Sequence, residues 1–243
     1  MQVFPRPWYE IKLLPSQILI WVYNWRVAPT TGLREQKKQA MREVISAVAT
    51  KLFFERGFEN VTVAQVAAAA NVSKMTVFNY FPRKEDLFFD REQEGLELLR
   101  LTLLKRARGI SPLAALHTAA RKLQAERHPF AKMTDGIVGF WRTVADSPSL
   151  RARTNEIRAE LEATFPPLLA ASVGLAEPDV ATCLVSNVLI AGWLTAYREA
   201  LRLQRAHQKR HTVDREFSRL IDRAFEIAEV AARGTPYAAG KRA

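Results

Sequence analysis

Apolar residues recur at helical spacing along most of the chain after residue 33, and no stretch alternates apolar and polar residues as a strand does. The first helical segment covers residues 34–56 and stops at Gly57, a residue type that commonly ends helices in the left-handed conformation. Its expected core residues are Val44, Ile45, Val48, Leu52 and Phe53. The pattern predicts an all-α fold that opens with a long amphipathic helix.

A short second helix is expected to begin after Thr62 and to end near Ala70. Thr62 is a favourable N-cap residue, and Gln65 three positions later completes the pattern of a capping box. The apolar face of this helix consists of Val63, Val66 and Ala67. We therefore expect it to pack its apolar face against the first helix.

Residues 71–73 predict a tight turn, because Asn71 tolerates the left-handed conformation and Ser73 can cap a third helix over residues 74–81. Val77 and Phe81 lie four residues apart and are expected to face the core. The opposite face then carries Lys74, Met75, Thr76 and Asn79. This arrangement predicts a helix-turn-helix whose second helix enters the major groove of DNA. The alternative is an ordinary helical hairpin with no role in DNA binding.

Four runs of sequence carry a resemblance to a known family: Gly57-Phe58, Thr62-Val63, residues 67–73 and residues 76–87. Together they resemble the DNA-binding domain of the TetR family of transcriptional regulators over residues 33–89. The resemblance implies an N-terminal three-helix helix-turn-helix domain over those residues, joined to a larger helical ligand-binding and dimerisation domain at 90–233. It also implies a cytoplasmic repressor, not an enzyme and with no cofactor or metal. Such a repressor leaves a pseudo-palindromic double-stranded DNA operator when a small-molecule effector binds.

Ten residues of the helix-turn-helix are candidates for DNA contact: Thr62, Val63, Ser73, Lys74, Met75, Thr76, Phe78, Asn79, Tyr80 and Lys84. Lys74, Thr76 and Asn79 are expected to read base edges, for which guanine and adenine are plausible partners of lysine and asparagine. Tyr80 and Lys84 are expected to contact phosphate.

The predicted DNA surface departs from the family at Phe78, and it leaves two alternatives for the basic residues near the start of the first helix. Phe78 stands where many family members carry a tyrosine, so a phosphate hydrogen bond from that position is in doubt and the ring is available only for packing. Lys37, Lys38 and Arg42 near the start of the first helix either reach phosphate or form a solvated basic face, and the sequence favours neither.

The second half of the chain is predicted to be entirely helical. A fourth helix should run from Lys84 to about Lys105, and later helices are separated at Pro and Gly positions. The last two helices, about 178–204 and 213–233, resemble the family's homodimer-forming helices, although they could instead close the core of a monomer. Residues 234–243 are expected to form a flexible tail.

Six residues are predicted to line an effector site: Met133, Ile137, Phe140, Trp141, Phe165 and Trp193. A stripe of aromatic residues at helical spacing is equally typical of a core, so packing is the competing interpretation. Residues 139–153 further resemble the C-terminal domain of TetR regulators that bind acyl-CoA-like ligands, the mycofactocin-regulator group. On that resemblance, Arg142, Arg151 or Arg153 would meet an anionic group of the ligand.

Composition changes this picture little. The formal net charge of +11 suits a protein that binds a polyanion, but the excess of basic residues is spread along the chain. A single cysteine, Cys183, excludes an intramolecular disulfide. Residues 1–32 differ from the rest in their prolines and tryptophans, and we expect them to be disordered or to precede the true translation start at Val27. Their apolar run over residues 18–23 is too short to span a membrane, and no membrane association is expected.

Two other classes of protein compete with the regulator. An enzyme would need a cluster of reactive groups, and the closest approach to one is the pair His207 and His211, four residues apart in a polar segment. This pair lacks the glutamate of a metalloprotease motif and is expected to be solvated. The other rival is a non-specific or membrane-associated DNA-binding protein that uses the basic surface and residues 1–32.

Overall fold

The computed structural model describes residues 32–131 and 135–238. The predictions for residues 1–31, for Met133 and for residues 239–243 lie outside this part of the chain. The described residues form ten helices: α1 (Leu33–Arg56), α2 (Val63–Ala69), α3 (Lys74–Tyr80), α4 (Lys84–Phe88), α5 (Glu92–Leu104), α6 (Pro112–Ala125), α7 (Asp135–Asp146), α8 (Pro148–Ala171), α9 (Val180–Arg205) and α10 (Arg210–Ala231). The predicted all-α fold is confirmed.

The chain divides into two compact units between Asp90 and Arg91. Unit 1 contains α1 to α4, and unit 2 contains α5 to α10. The predicted limits of the first three helices agree with the structure to within one residue. Gly57 ends α1 with a φ of 81°, which a residue with a side chain adopts only with strain.

Unit 1 is built on the apolar face of α1. Ile45 and Phe53 are buried there, together with Val66 of α2 and Val77 of α3. The ring of Phe53 lies 4.9 Å from that of Phe58, centroid to centroid. The prediction that Val44 belongs to the core was wrong, because Val44 is 49% exposed, whereas Ser46 and Ala49 are buried. The inward face of α1 therefore follows positions 45, 49, 52 and 53, and position 44 lies beside it.

The predicted single helix from Lys84 to Lys105 is wrong. It is interrupted between Phe88 and Glu92, so that α4 and α5 are separate. At the interruption, the Asp90 carboxylate accepts a hydrogen bond from Ser46, and the Asp90 carbonyl accepts one from Arg42. These partners on α1 hold the backbone in a conformation that a continuous helix would not permit, and local helical periodicity contains no sign of them.

Unit 2 is organised around the antiparallel pair α9 and α10. Trp193 and Tyr197 of α9 both pack against the ring of Phe217 on α10, at centroid distances of 6.2 and 5.3 Å. Further along, Gly192 faces Ala224, and a Cβ added at Gly192 would lie 2.2 Å from the Ala224 Cβ. The missing side chain at position 192 is therefore what permits the two helices to approach so closely.

The expected flexible tail is wrong as far as Ala238. Tyr237 is fully buried, and its hydroxyl bonds to the Thr182 hydroxyl at 2.7 Å and donates to the Asp179 carboxylate at 3.3 Å. Its carbonyl accepts from the Leu113 amide at 3.2 Å. The segment after α10 is thus fixed to the starts of α6 and α9, which are distant in sequence and could not be read from a short polar stretch.

Candidate nucleic-acid interface

The two caps that build the helix-turn-helix are formed as predicted. The Thr62 hydroxyl accepts from the Gln65 amide at 3.3 Å, and the Gln65 side chain accepts from the Thr62 amide at 2.8 Å. Asn71 has a φ of 55° in the turn, and the Ser73 hydroxyl accepts from the Thr76 amide at 2.9 Å. These local bonds fix the starts of α2 and α3, because they satisfy backbone donors that a helix N-terminus leaves unpaired.

The inner face of α3 is anchored in the core of unit 1. Val77 is fully buried, and Phe81, the C-cap residue, is 1% exposed. Both residues were predicted to face inward. Burying one face of a seven-residue helix holds the helix in place, so that its outer face can present side chains at fixed positions.

The outer face of α3 combines polar and apolar side chains. Lys74 and Asn79 are exposed, Met75 is 69% exposed and Phe78 is 44% exposed. Thr76 is half-buried, and its hydroxyl lies 2.8 Å from the Ser73 hydroxyl within the cap. The structure therefore brings together an amine, an amide and two large apolar groups, which can contact base edges and thymine methyl groups.

The remaining candidates for DNA contact differ in their exposure to solvent. Thr62 and Ser73 are exposed at the starts of α2 and α3, whereas Val63 and Tyr80 are half-buried. The Lys84 ammonium lies 4.2 Å from the centroid of the Phe58 ring. Burial lowers the pKa of Lys84, although Glu59 and Glu85 act in the opposite direction.

Arg42 differs from the other basic residues near the start of α1. Lys37 and Lys38 are exposed, as either of the two interpretations required. The Arg42 guanidinium instead donates to the Tyr80 carbonyl at 2.8 Å and lies 4.2 Å from the centroid of the Phe81 ring. The Arg42 side chain therefore makes its contacts within unit 1. This differs from both interpretations of the sequence, which placed it either on phosphate or on a solvated face.

The family model of bacterial regulatory proteins, tetR family, matches residues 45–90, which include every part of the helix-turn-helix just described. Residues 45–90 of this chain are therefore similar to the TetR family of bacterial regulatory proteins. The match lies within unit 1, ends with it at residue 90 and leaves unit 2 outside it.

Two curated relatives are named as HTH-type transcriptional regulators. The chain is 29% identical over 147 residues to the HTH-type transcriptional regulator TcmR of Streptomyces glaucescens, covering 59% of this chain and 65% of TcmR. It is 32% identical over 99 residues to the HTH-type transcriptional regulator RutR of Escherichia coli K12, covering 40% of this chain and 47% of RutR. The matched region thus spans less than two thirds of either relative.

The fold as a whole also resembles that of a solved structure. The SmeT–triclosan complex superposes with a TM-score of 0.52, covering 78% of this chain and 91% of SmeT at 15% identity. This likeness concerns the fold alone. It agrees with an N-terminal helix-turn-helix domain followed by a helical C-terminal domain.

In unit 2, the structure brings together some of the predicted effector residues and separates them from the others. Ile137, Phe140 and Trp141 are half-buried on α7, and Trp193 is half-buried on α9. Phe165 is 4% exposed within the core. The Trp141 ring lies 5.5 Å from that of Tyr197, which in turn packs with Trp193 against Phe217. Trp141 and Trp193 are thus brought into one aromatic group, whereas Phe165 contributes to the core.

Tyr197 is a member of this aromatic group that the predicted effector site omitted, and the backbone of Phe130 is bonded to the group. The Phe130 carbonyl accepts from the Trp193 indole at 3.1 Å and from the Tyr197 hydroxyl at 2.8 Å. Burial raises the pKa of Tyr197, which is consistent with a neutral hydroxyl that acts as a donor. The spacing of Trp193 and Tyr197, one helical turn apart, was the available sequence signal.

The three arginines assigned to an anionic ligand have different surroundings. The Arg153 guanidinium is 8% exposed and pairs with Glu92 and Glu160, each at 2.7 Å. Arg151 donates to the Ala145 carbonyl at 2.5 Å. Arg142 is exposed on α7. Internal partners therefore occupy Arg151 and Arg153.

A second charged group lies at the start of α5. Burial would raise the pKa of Glu94, but hydrogen bonds from His128 and Arg91 outweigh it and lower this pKa to about 2. His128 is buried beside the carboxylate, with 3.3 Å between its Nε2 and Oε1 of Glu94. This pair fixes the segment after α6 to α5, next to the Phe130 carbonyl that α9 holds.

The outer face of α9 and α10 is unusually apolar. Val180 is 86% exposed and Leu184 50% exposed on α9, and Ile227 and Val230 are 46% and 55% exposed on α10. α9 is long and apolar enough to cross a membrane, although a core helix of a soluble protein meets the same criterion, and only 33% of its most apolar stretch is buried. Large exposed apolar side chains on two paired helices are candidates for an interaction surface.

Proposed function

We propose that the protein is a sequence-specific DNA-binding transcriptional regulator that acts as a homodimer and responds to a small molecule. The observation that carries this proposal is α3, an internally anchored helix whose outer face presents Lys74, Met75, Phe78 and Asn79. Its match to the TetR family and its regulator relatives favour transcriptional regulation, and we propose repression as the mode of action. No catalytic role, cofactor or metal enters the proposal, and cytoplasmic action is part of it.

On DNA, we assign base reading to Lys74 and Asn79. A lysine ammonium can donate to O6 and N7 of guanine, and an asparagine amide can pair with N6 and N7 of adenine. Met75 and Phe78 can contact thymine methyl groups in the same groove. The backbone amides at the starts of α2 and α3, near Thr62 and Ser73, would meet phosphate oxygens and set the register.

Asn79→Ala should weaken binding to the preferred DNA by about 1 to 3 kcal/mol and relax one base position, because it removes a base contact and leaves the packed face of α3 intact. Fluorescence anisotropy on the preferred site and on single-base variants of it measures this effect. Asn60→Ala, in the turn before α2, is the matched control and should retain the preference. Equal losses by Asn79→Ala on preferred and random DNA would exclude base reading.

The homodimer is proposed to form through α9 and α10. Two recognition helices must reach half-sites about 34 to 36 Å apart, which a twofold axis between protomers provides. The exposed apolar residues of α9 and α10 supply a surface for such an axis, and a second copy offers the same surface in return. The low burial of α9 in one protomer is explained if the partner covers it.

Leu184→Glu should shift the protein from dimer to monomer, because two charges would be buried at the proposed axis. Analytical ultracentrifugation at micromolar concentration measures the change, and operator affinity should fall with it. Leu104→Glu is the matched control, since Leu104 is 45% exposed at the end of α5. A dimer that survives Leu184→Glu would place the interface elsewhere.

The effector is proposed to be small and apolar or acyl-CoA-like, and to bind beside Trp141, Trp193 and Tyr197. A precedent for a small molecule on this fold is the triclosan complex of SmeT. Arg142 is the arginine that remains available for an anionic group, because Arg151 and Arg153 have internal partners. The effector would release DNA to the extent that it prefers the conformation that does not bind the operator.

The proposed function is tested by selecting bound sequences from a random DNA pool at near-physiological salt. An inverted repeat with half-sites about one helical turn apart is the expected product. Unrelated sequences would contradict sequence-specific regulation. Dodecanoyl-CoA, dodecanoate and coenzyme A alone, added to the complex with the recovered DNA, then separate an acyl-CoA effector from a simple apolar one.

A further inference from the structure

Arg42 connects two parts of unit 1. One is the end of α3, which carries the proposed DNA surface, and the other is Asp90, the last residue before unit 2. One guanidinium nitrogen donates to the carbonyl of Tyr80, the last residue of α3, at 2.8 Å. The other donates to the carbonyl of Asp90 at 3.3 Å. The guanidinium also lies over the Phe81 ring, 4.2 Å from its centroid. A single side chain on α1 thus holds the end of the recognition helix and the last residue of unit 1.

The chemistry of this contact suits arginine and excludes lysine. The planar guanidinium presents several N–H groups in a fixed fork, so it can donate to two carbonyls and stack on a ring at once. An ammonium group is a compact point charge and cannot reproduce this geometry. A cation at the carbonyl end of α3 is also favourable. It donates to an otherwise unpaired carbonyl, and its positive charge is attracted to the negative end of the helix dipole.

Asp90 is held from a second side. Its carboxylate accepts a hydrogen bond from Ser46, one helical turn after Arg42 on α1, and Ser46 is 2% exposed. The next residue, Arg91, is the N-cap of α5 and pairs with Glu94 at 2.6 Å. Asp90 and Arg91 are joined by one peptide bond, so a displacement of the start of α5 would move Asp90. The Asp90 carbonyl accepts from the same Arg42 guanidinium that holds the end of α3.

We propose that Arg42 is a positioning residue that couples the Asp90 junction to the recognition helix, and that Ser46 supports it by holding Asp90. This rests on the proposed function, and it identifies the route by which a change in unit 2 reaches the DNA-reading helix. Arg42 would contribute to DNA affinity without touching phosphate. Loss of the contact should weaken operator binding by roughly 2- to 30-fold, the range typical of residues that transmit coupling.

The test compares Arg42→Lys, Arg42→Gln and Ser46→Ala with the wild type in the full chain. Lys38→Gln, which removes an exposed charge from the same helix, calibrates the effect of charge alone. Affinity for the recovered DNA is measured across a salt series. Hydrogen exchange is measured at the Phe81 amide, which donates to the Val77 carbonyl at the end of α3. Melting curves identify any variant that unfolds.

Coupling predicts that Arg42→Lys loses as much affinity as Arg42→Gln, that the salt slope is unchanged, and that Phe81 exchange accelerates. Ser46→Ala, which touches only the Asp90 side, should also accelerate exchange at Phe81. A phosphate contact would instead leave Arg42→Lys near wild type and reduce the salt slope of Arg42→Gln by about one. That result, or unchanged Phe81 exchange in Ser46→Ala, overturns the proposal. If the wild type selects no DNA sequence, the proposed function fails, while the exchange data still decide the coupling.

Discussion

Gly192→Ala is expected to destabilise unit 2 by about 3 kcal/mol, near the upper end of the usual cost of overpacking. The added Cβ would lie 2.2 Å from the Ala224 Cβ. Neither methyl group has a rotamer that could move aside, so α9 and α10 would have to separate. The gain in helix propensity on replacing glycine with alanine, about 1 kcal/mol, is too small to offset this cost.

Urea unfolding followed by circular dichroism measures the Gly192 effect, and two variants make it specific. Ala224→Gly in the Gly192→Ala background should restore most of the stability, because the new Cβ would then meet the Ala224 Cα at 3.5 Å, an ordinary contact. Gly95→Ala is the matched control on α5, where the added Cβ would lie 3.6 Å from the Phe130 ring. It should be neutral or stabilising by up to about 1 kcal/mol. A stable Gly192→Ala protein would contradict the close packing of α9 on α10.

Arg153→Met is expected to cost about 3 kcal/mol of unfolding free energy. Breaking a buried ion pair typically costs 3 to 5 kcal/mol because the remaining charge stays buried without its partner. The Arg153 side chain is 8% exposed, and Glu92 on α5 is 18% exposed. The estimate is at the low end because Glu156 and Glu160, the other partners, are each 48% exposed and can turn to water.

Thermal and urea unfolding measure the Arg153 effect, and α8 supplies a matched control. Arg158 pairs with Glu162 one helical turn away, and both side chains are largely solvated at 46% and 39% exposure. Arg158→Met should therefore change stability by less than about 0.5 kcal/mol. Adding Glu92→Gln to Arg153→Met should recover part of the loss. Similar losses for the two arginines would show that the Arg153 cluster is no stronger than a surface pair.

Sequence reasoning succeeded in unit 1 where the determining contacts are local. Thr62 and Gln65 are three residues apart, as are Ser73 and Thr76, so both caps depend on short-range hydrogen bonds that residue type predicts. Val77 was predicted to face the core because its position on a short helix leaves few alternatives. The family resemblance agrees with this local chemistry and with the domain match.

The errors arose where distant residues decide the structure. The break between α4 and α5 depends on Asp90 and its partners on α1, more than 40 residues earlier. Tyr237 is buried because Thr182, 55 residues before it, provides a partner for its hydroxyl. Periodicity and turn propensity contain no information on such pairings, so a polar segment near a chain end is interpreted as mobile even when one aromatic side chain fixes it.

The functional surfaces were predictable to different degrees. The outer face of α3 follows from the burial of its inner face, so the exposed positions of Lys74 and Asn79 could be deduced. Arg42 could not, since a basic residue on an amphipathic helix has the same pattern whether it faces DNA, solvent or two backbone carbonyls. The residues predicted to line an effector site were only partly grouped, because an aromatic stripe serves a core such as that of Phe165 equally well.

Photocrosslinking can establish whether α3 presents its outer face to DNA bases. A photoreactive phenylalanine analogue is introduced at Phe78, which is 44% exposed on α3, or at Phe54, which is 51% exposed on α1. The two variants carry the same group at similar exposure within unit 1. We expect a crosslink from position 78 to a base within a selected half-site, and none from position 54. Crosslinking from position 54 without crosslinking from position 78 would contradict this expectation.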